Sequence, residues 1–287
     1  MASYLRIGGA PAPSPARVAD IRDAIDLSDP ALATTFGERA RGEVVTLTER
    51  LLAETRAGDL GACAPLLGHI EERLHGLNPS ALRTRRGMAG WFDSRKKRLK
   101  AFRAAFTSAS ATMAETAGAI GDQGAGVTRR SRALEVLWAE TRTAITELDA
   151  YVVAGVERLG HDASQDADHP LTGRLASLVV LRNTAIRQLP LVRMTQNADC
   201  ELPDRLKSLA EAASTWRAAW REGLGLDRKR PRKIVPDQIG LMRDRDALIA
   251  VLEGVRRDLS AAATRRAQAM TRMEKVAESV RRAAPKA

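Results

Sequence analysis

Residues 178–200 read LVVLRNTAIRQLPLVRMTQNADC and combine three arginines, two glutamines and two asparagines with a run of apolar residues. On a continuous helix, Leu175, Val179, Arg182, Ile186, Leu189, Arg193 and Gln196 fall along one stripe at 100° per residue, so Arg182 and Arg193 border the core. A guanidinium in that position needs a carboxylate, carbonyl oxygens or a bound anion, because an unpaired buried charge costs several kcal/mol. Two chemistries fit. Arg182, Arg193, Gln196 and Asn197 could together bind a small oxyanion or a partner, since arginine forks match oxyanion geometry. Alternatively the arginines pair internally with an acid of the preceding helix such as Glu147, Asp149 or Glu157. Pro190 predicts a kink in this helix.

Other reactive residue types are present without the spacing that chemistry requires. HDASQDADH offers His161, Asp162, Asp166, Asp168 and His169, but matches neither a calcium loop nor a zinc motif, and reads as an interhelix turn. Cys63, His69 and His75 recur every six residues, which rotates each away from the last on a helix and prevents shared coordination. No metal site is expected. Cys63 and Cys200 are too few and too far apart for a disulfide framework, and read as small hydrophobes in a reducing compartment. The basic clusters SRKKRLK at 94–100 and DRKRPRK at 227–233 could meet phosphates, yet no named nucleic-acid module accompanies them and aromatics for stacking are scarce. A Gly-rich phosphate loop, a nucleophile elbow and an HExxH signature are all absent from the sequence.

The elements that would position these residues are helices. Good helix formers dominate the 287 residues, aromatics are 3%, and 44% hydrophobic content suffices for a substantial core. The fold expected is all-α: an elongated antiparallel helical bundle with long coiled-coil-like helices. Residues 1–30, with GGAPAPSPA, are expected to be a flexible leader. Residues 31–284 are expected to form a single helical domain, with an N-terminal helical hairpin over 31–88 and a long-helix bundle over 91–284. Asp29 and Pro30 suit a helix start. From Phe92, the residues Leu99, Phe106, Met113, Ile120, Val127, Leu134, Thr141 and Leu148 stand one heptad apart, predicting one long helix to about 160. Glycines at 121–126 predict a bend or local break within it. Further helices are expected at about 171–199, 203–225 and 237–283.

The net charge of +11 favours an anionic partner: nucleic acid, acidic lipid, acidic protein or small oxyanions. The longest uncharged apolar run, LASLVVL, is too short to cross a bilayer, and the N-terminus lacks a secretory h-region. A soluble protein is expected.

Gln188, Leu189, Pro190, Val192, Arg193, Met194, Gln196 and Asn197 form a segment that resembles the Q-x-x-P-x-x-R-x-x-Q-N pattern of the toxic anion resistance family, typified by tellurite-resistance proteins. Trp216 fits the same pattern, and ELDAYVVAGVERL at 147–159 is similar to the family's acidic-aromatic stretch. The chain departs from the pattern at Asp199, where the family usually has asparagine, and in its short basic last interhelical segment. The resemblance implies Gln188, Pro190 and Trp216 as structural motif residues. It also implies a cytoplasmic bacterial stress-response protein, with contact at the inner face of the membrane as an open alternative. The function expected is a non-enzymatic scaffold in tellurite or toxic-anion resistance, without a cofactor, because tellurite reduction would need a redox cofactor or paired thiols. Its partners would be other stress-resistance proteins. The alternatives are a direct oxyanion-binding protein and a basic protein binding nucleic acid or an acidic membrane surface, with specific nucleic-acid recognition not expected.

Overall fold

The computed structural model describes residues 10–29, 31–57, 61–82, 95–162, 169–227 and 235–284. The described residues are all-α, without a strand. The helices are α1 (Pro15–Asp23), α2 (Leu32–Thr35), α3 (Glu38–Arg56), α4 (Cys63–Gly76), α5 (Arg95–Asp162), α6 (Pro170–Ala185), α7 (Gln188–Asp199), α8 (Leu202–Gly223) and α9 (Gln238–Ala283), with a 3-10 turn at Pro79–Leu82.

The heptad column holds. Leu99, Phe106, Met113, Ile120, Val127, Leu134, Thr141 and Leu148 are all buried, on a helix of 68 residues. Phe92 lies outside the described residues. The break expected at 121–126 does not occur: α5 is helical throughout. Packing outweighs the propensity cost of about 1 kcal/mol per glycine, because Ile120 and Val127 are anchored on either side of these glycines.

Two compact units share this chain. Unit 1 comprises Met1–Gly58, Arg130–Ala198 and Thr264–Ala287; unit 2 comprises Asp59–Arg129 and Asp199–Ala263. The two helices expected to pair as the hairpin of 31–88 contribute to different cores. In unit 1, α3 buries Val44, Leu47, Leu51 and Leu52 beside Leu148, Leu178 and Val192. In unit 2, α4 buries Cys63, Leu67, Ile70 and Leu74 beside Phe106, Trp216 and Trp220.

The expected leader is corrected in its second half. Ser14 caps α1 by accepting from Arg17 N at 3.2 Å, Pro15 opens the helix, and Val18, Ile21 and Ile25 are buried in the unit 1 core. Its apolar residues are few, but they stand at helical spacing behind a capping serine. Residues 1–9 lie outside the described residues. Asp29 accepts from Ala31 N at 2.8 Å in the turn before α2, but the N-cap of that helix is Ala31, two residues after the expected Asp29, and Pro30 is outside the described residues. That helix stops at Thr35, and α3 begins after Gly37, whose φ of 67° is left-handed. Only glycine adopts this conformation without cost. Leu178 Cδ1 also lies 2.9 Å from where a Gly37 side chain would begin.

Candidate functional site

The arginine-bearing segment is divided between two helices. The proline at 190 cannot donate to the carbonyl of residue 186, and its ring would clash there. Accordingly α6 ends at Ala185, Leu189 N takes the Ile186 carbonyl at 3.3 Å, and α7 begins at Gln188. The expected kink is therefore a break one turn upstream of Pro190, which then sits in the first turn of α7, where a missing N–H costs nothing.

Arg182, on the last turn of α6, is 3% exposed. Its Nε donates to Asp149 Oδ1 at 2.7 Å and its Nη2 to Asp149 Oδ2 at 3.1 Å, a bidentate fork, while Nη1 donates to Asn183 Oδ1 at 3.1 Å. Asp149 is equally buried; burial pushes its carboxyl above the usual range and the Arg182 fork opposes that rise. The internal pair expected from sequence is thus made, with Asp149 as the acid. The other two candidate acids face α1: Glu147 receives Arg17 at 2.6 Å, and Glu157 receives Arg22 at 3.4 Å. Glycine at 155 permits the close approach of α6 to α5 near this pair, since Leu175 Cδ2 lies 2.6 Å from where a side chain would start. Above it, Pro11, Pro13, Val18, Arg22, Asp149 and Val153 line part of a groove of about 650 Å³.

Arg193, eleven residues on, belongs to a different cluster. Its guanidinium forks onto Glu135, with Nη2 to Oε1 at 3.0 Å and Nη1 to Oε2, and Nη1 also donates to Gln196 Oε1 at 2.8 Å. Its carbon lies 4.1 Å from the Trp138 ring centroid, and Arg142 approaches the same ring at 5.3 Å. Gln196 Nε2 donates to the Ser131 carbonyl at 3.0 Å and to Glu135 at 3.2 Å. The Arg193 and Gln196 hydrogen bonds hold the Glu135 carboxyl below its usual range. Asn197 is exposed. The four residues expected as one anion- or partner-binding set therefore divide into a buried pair at Arg182, a half-exposed cluster at Arg193 and Gln196, and a surface position at Asn197. An oxyanion reaching either arginine must displace a carboxylate from a bidentate fork.

The motif residues have structural surroundings. Gln188 is fully buried and donates through Nε2 to Thr48 Oγ1 at 2.9 Å, and Thr48 donates on to the Val44 carbonyl at 2.8 Å, fastening α7 to α3. Trp216 belongs to unit 2, within an aromatic cluster where its centroid is 4.9 Å from that of Trp220 and 5.5 Å from that of Phe106. Glu135 and Trp138 were not singled out in sequence. Their spacing of three puts them on one helical face, but only the fold shows that Arg193 lies opposite.

His169 has a capping role: Nδ1 accepts from Leu171 N at 3.1 Å, and Nε2 donates to the Leu27 carbonyl at 3.1 Å. Asp166 and Asp168 lie outside the described residues, as do Ser94 of the first basic cluster and residues 228–233 of the second. Among the described residues, no group of three His, Cys, Asp or Glu is arranged to hold a metal, and no helix is long and apolar enough to cross a membrane. Cys63 is buried and Cys200 exposed.

Neither a curated protein nor a solved structure matches the chain. A family model described as toxic anion resistance protein (TelA) matches residues 18–165, just over half the chain. The match covers Glu135, Trp138 and the ELDAYVVAGVERL stretch, and ends before the Gln188–Asn197 segment that carries the motif resemblance. Residues from α1 to the end of α5 thus establish that the chain belongs to the toxic anion resistance protein family.

Proposed function

We propose that this member of the family serves toxic-anion resistance, tellurite included, as a non-enzymatic helical scaffold that engages other stress-resistance proteins. The observation supporting this is the closure of both arginine forks. Arg182 is committed to Asp149 and Arg193 to Glu135, so these two arginines hold α6 and α7 to α5 and neither presents an open fork to a small anion. The alternative of direct oxyanion binding requires these forks to open. Expression in a tellurite-sensitive bacterium, alone and with its operon neighbours, raises the tolerated concentration. Titration calorimetry of the full chain with tellurite, selenite and phosphate yields no saturable heat, while a pull-down from the native host retains partner proteins. Saturable heat that disappears in Arg193→Ala would transfer the function to oxyanion binding. Unchanged tolerance at verified expression, with and without the neighbours, would remove the resistance role.

A further inference from the structure

Four chain segments of unit 2 meet at one end. Phe102 of α5 packs on Trp220 of α8 with centroids 5.9 Å apart, and Arg103 Nε donates to the Leu224 carbonyl at 2.8 Å. The first turns of α5 therefore lie beside the last turn of α8. Leu241 Cδ2 lies 3.5 Å from where a Gly223 side chain would begin, which brings the start of α9 to the same place. The Ser80 hydroxyl contacts Met242 Sδ at 3.7 Å and Arg245 Nη1 reaches the Leu77 carbonyl at 3.5 Å, adding the 3-10 turn and the end of α4.

This end is electropositive and apolar at once. Lys96, Lys97 and Lys100 are exposed on the opening turns of α5, and neither α5 nor α9 has an acid in its first turn. A helix start carries partial positive charge and is ordinarily compensated by acids, so lysines there raise the potential further. Of the nearby acids, Asp227 is paired with Arg221, Asp244 with Arg243 and Asp246 with Arg245. Asp237, which accepts from the Ile239 N–H at 3.0 Å at the start of α9, and Glu222 on the last turn of α8 remain as counter-charges. At the start of α9, on this same end, stand Ile239, 81% exposed, and Val235, 69% exposed, the most exposed large aliphatic side chains among the described residues. A helix start alone would specify nothing; exposed aliphatics on the same end as exposed cations specify the chemistry of the surface they meet.

A nucleic acid would use the cations but gain nothing from Ile239 and Val235, and the aromatics here, Phe102, Phe106, Trp216 and Trp220, are buried and not presented to bases. An acidic bilayer uses both features, with ammonium groups among the headgroups and aliphatic side chains in the interfacial layer. We propose that this end of unit 2, through Lys96, Lys97, Lys100, Val235 and Ile239, docks peripherally on an acidic lipid surface. The assignment is independent of the scaffold function.

Flotation of the full chain with phosphatidylcholine vesicles, with and without phosphatidylglycerol, tests it. Binding appears on the phosphatidylglycerol vesicles at low salt and weakens as salt rises. Lys96→Gln/Lys97→Gln/Lys100→Gln lowers the partition constant roughly a hundredfold, and Ile239→Ser lowers it roughly tenfold. Val180→Ser, an exposed aliphatic of unit 1, leaves binding unchanged, and all variants retain the wild-type melting temperature because the altered side chains are exposed. Three results overturn the proposal: no flotation with phosphatidylglycerol at low salt, equal flotation with phosphatidylcholine alone, or unchanged binding in both unit 2 variants. Duplex DNA binding that depends on the lysines but not on Ile239, without vesicle binding, assigns the surface to nucleic acid instead.

Discussion

Unit 1 and unit 2 solve the same packing problem with different interactions. Unit 1 threads polar and charged contacts through its helices: Arg182 on Asp149, Gln188 on Thr48, Arg193 on Glu135, and Arg174 on both the Phe36 carbonyl and Glu38 at 2.8 Å. Unit 2 centres on Phe102, Phe106, Trp216 and Trp220, whose rings stack edge-on or tilted within 6 Å of one another along four contacts. Directional contacts specify which helix faces which, whereas an aromatic cluster stabilises by volume and tolerates changes in polarity. The two units should therefore fail under opposite kinds of substitution.

The largest effect falls on the buried pair. Arg182→Leu leaves the Asp149 carboxylate buried without its cation and should cost about 3–5 kcal/mol, read as a lowered denaturant midpoint. Arg182→Leu/Asp149→Leu should recover most of that loss, because two apolar side chains replace a pair whose desolvation was itself costly. A double variant as unstable as the single would show that the pair's geometry, and not the stranded charge, carries the effect. In unit 2 the corresponding contrast is Trp220→Ala against Trp220→Phe. The alanine variant opens a cavity and should cost about 3–5 kcal/mol. The phenylalanine variant should cost about 1–2 kcal/mol, since Trp220 Nε1 has no hydrogen-bond partner among the described residues and removing it breaks no bond there.

How much of this was visible beforehand depended on whether the cause was local. The buried column of α5, the start of α6, the end of α7 and the limits of α8 and α9 follow from periodicity, capping residues and prolines within one stretch of chain, whereas the expected single helix over about 171–199 is divided after Ala185. The pairing of Arg182 with one of three nearby acids was also legible, since the stripe put the arginine at the core and burial demanded a counter-ion. Choosing Asp149 over Glu147 and Glu157 was not, because the choice is made by α1, whose Arg17 and Arg22 occupy the other two. That helix is itself hard to read in the sequence, with its buried Val18 and Ile21 set among prolines and alanines. The joining of Arg193 to Trp138 depends on two helices far apart in sequence, and no spacing rule reports it.

A smaller effect separates the two arginines of unit 1. Arg193 and Glu135 are 40% and 53% exposed, and water screens their fork. Arg193→Ala should cost about 1 kcal/mol from the lost ion pair and ring stacking together. Arg193→Lys should recover part of this, keeping a charge over Trp138 without the planar fork. A loss matching that of Arg182→Leu would mean that exposure does not separate the two sites.

The smallest and most diagnostic contrast is the response to acid. Glu38 is held below its usual range by hydrogen bonds from Arg41 and Arg174, Glu49 by Arg281, and Glu135 by Arg193 and Gln196. All three belong to unit 1. A carboxylate whose folded pKa is depressed contributes stability above its unfolded value, about 4.3 for glutamate, and loses it as pH falls through the folded value. Asp149 has the opposite sign, because burial raises its pKa and protonation relieves that cost, so it offsets part of the loss. The three glutamates outnumber it, and the net expectation is that acidification below about pH 4.3 loosens unit 1 first. Hydrogen exchange followed by mass spectrometry between pH 6 and pH 3, corrected for intrinsic rates, should show protection falling earlier in α3 and α7 than in α8. Equal loss in all three helices would mean that α5 and α9, which run through both units, bind them into one cooperative transition, and that the difference in wiring does not extend to the order of unfolding.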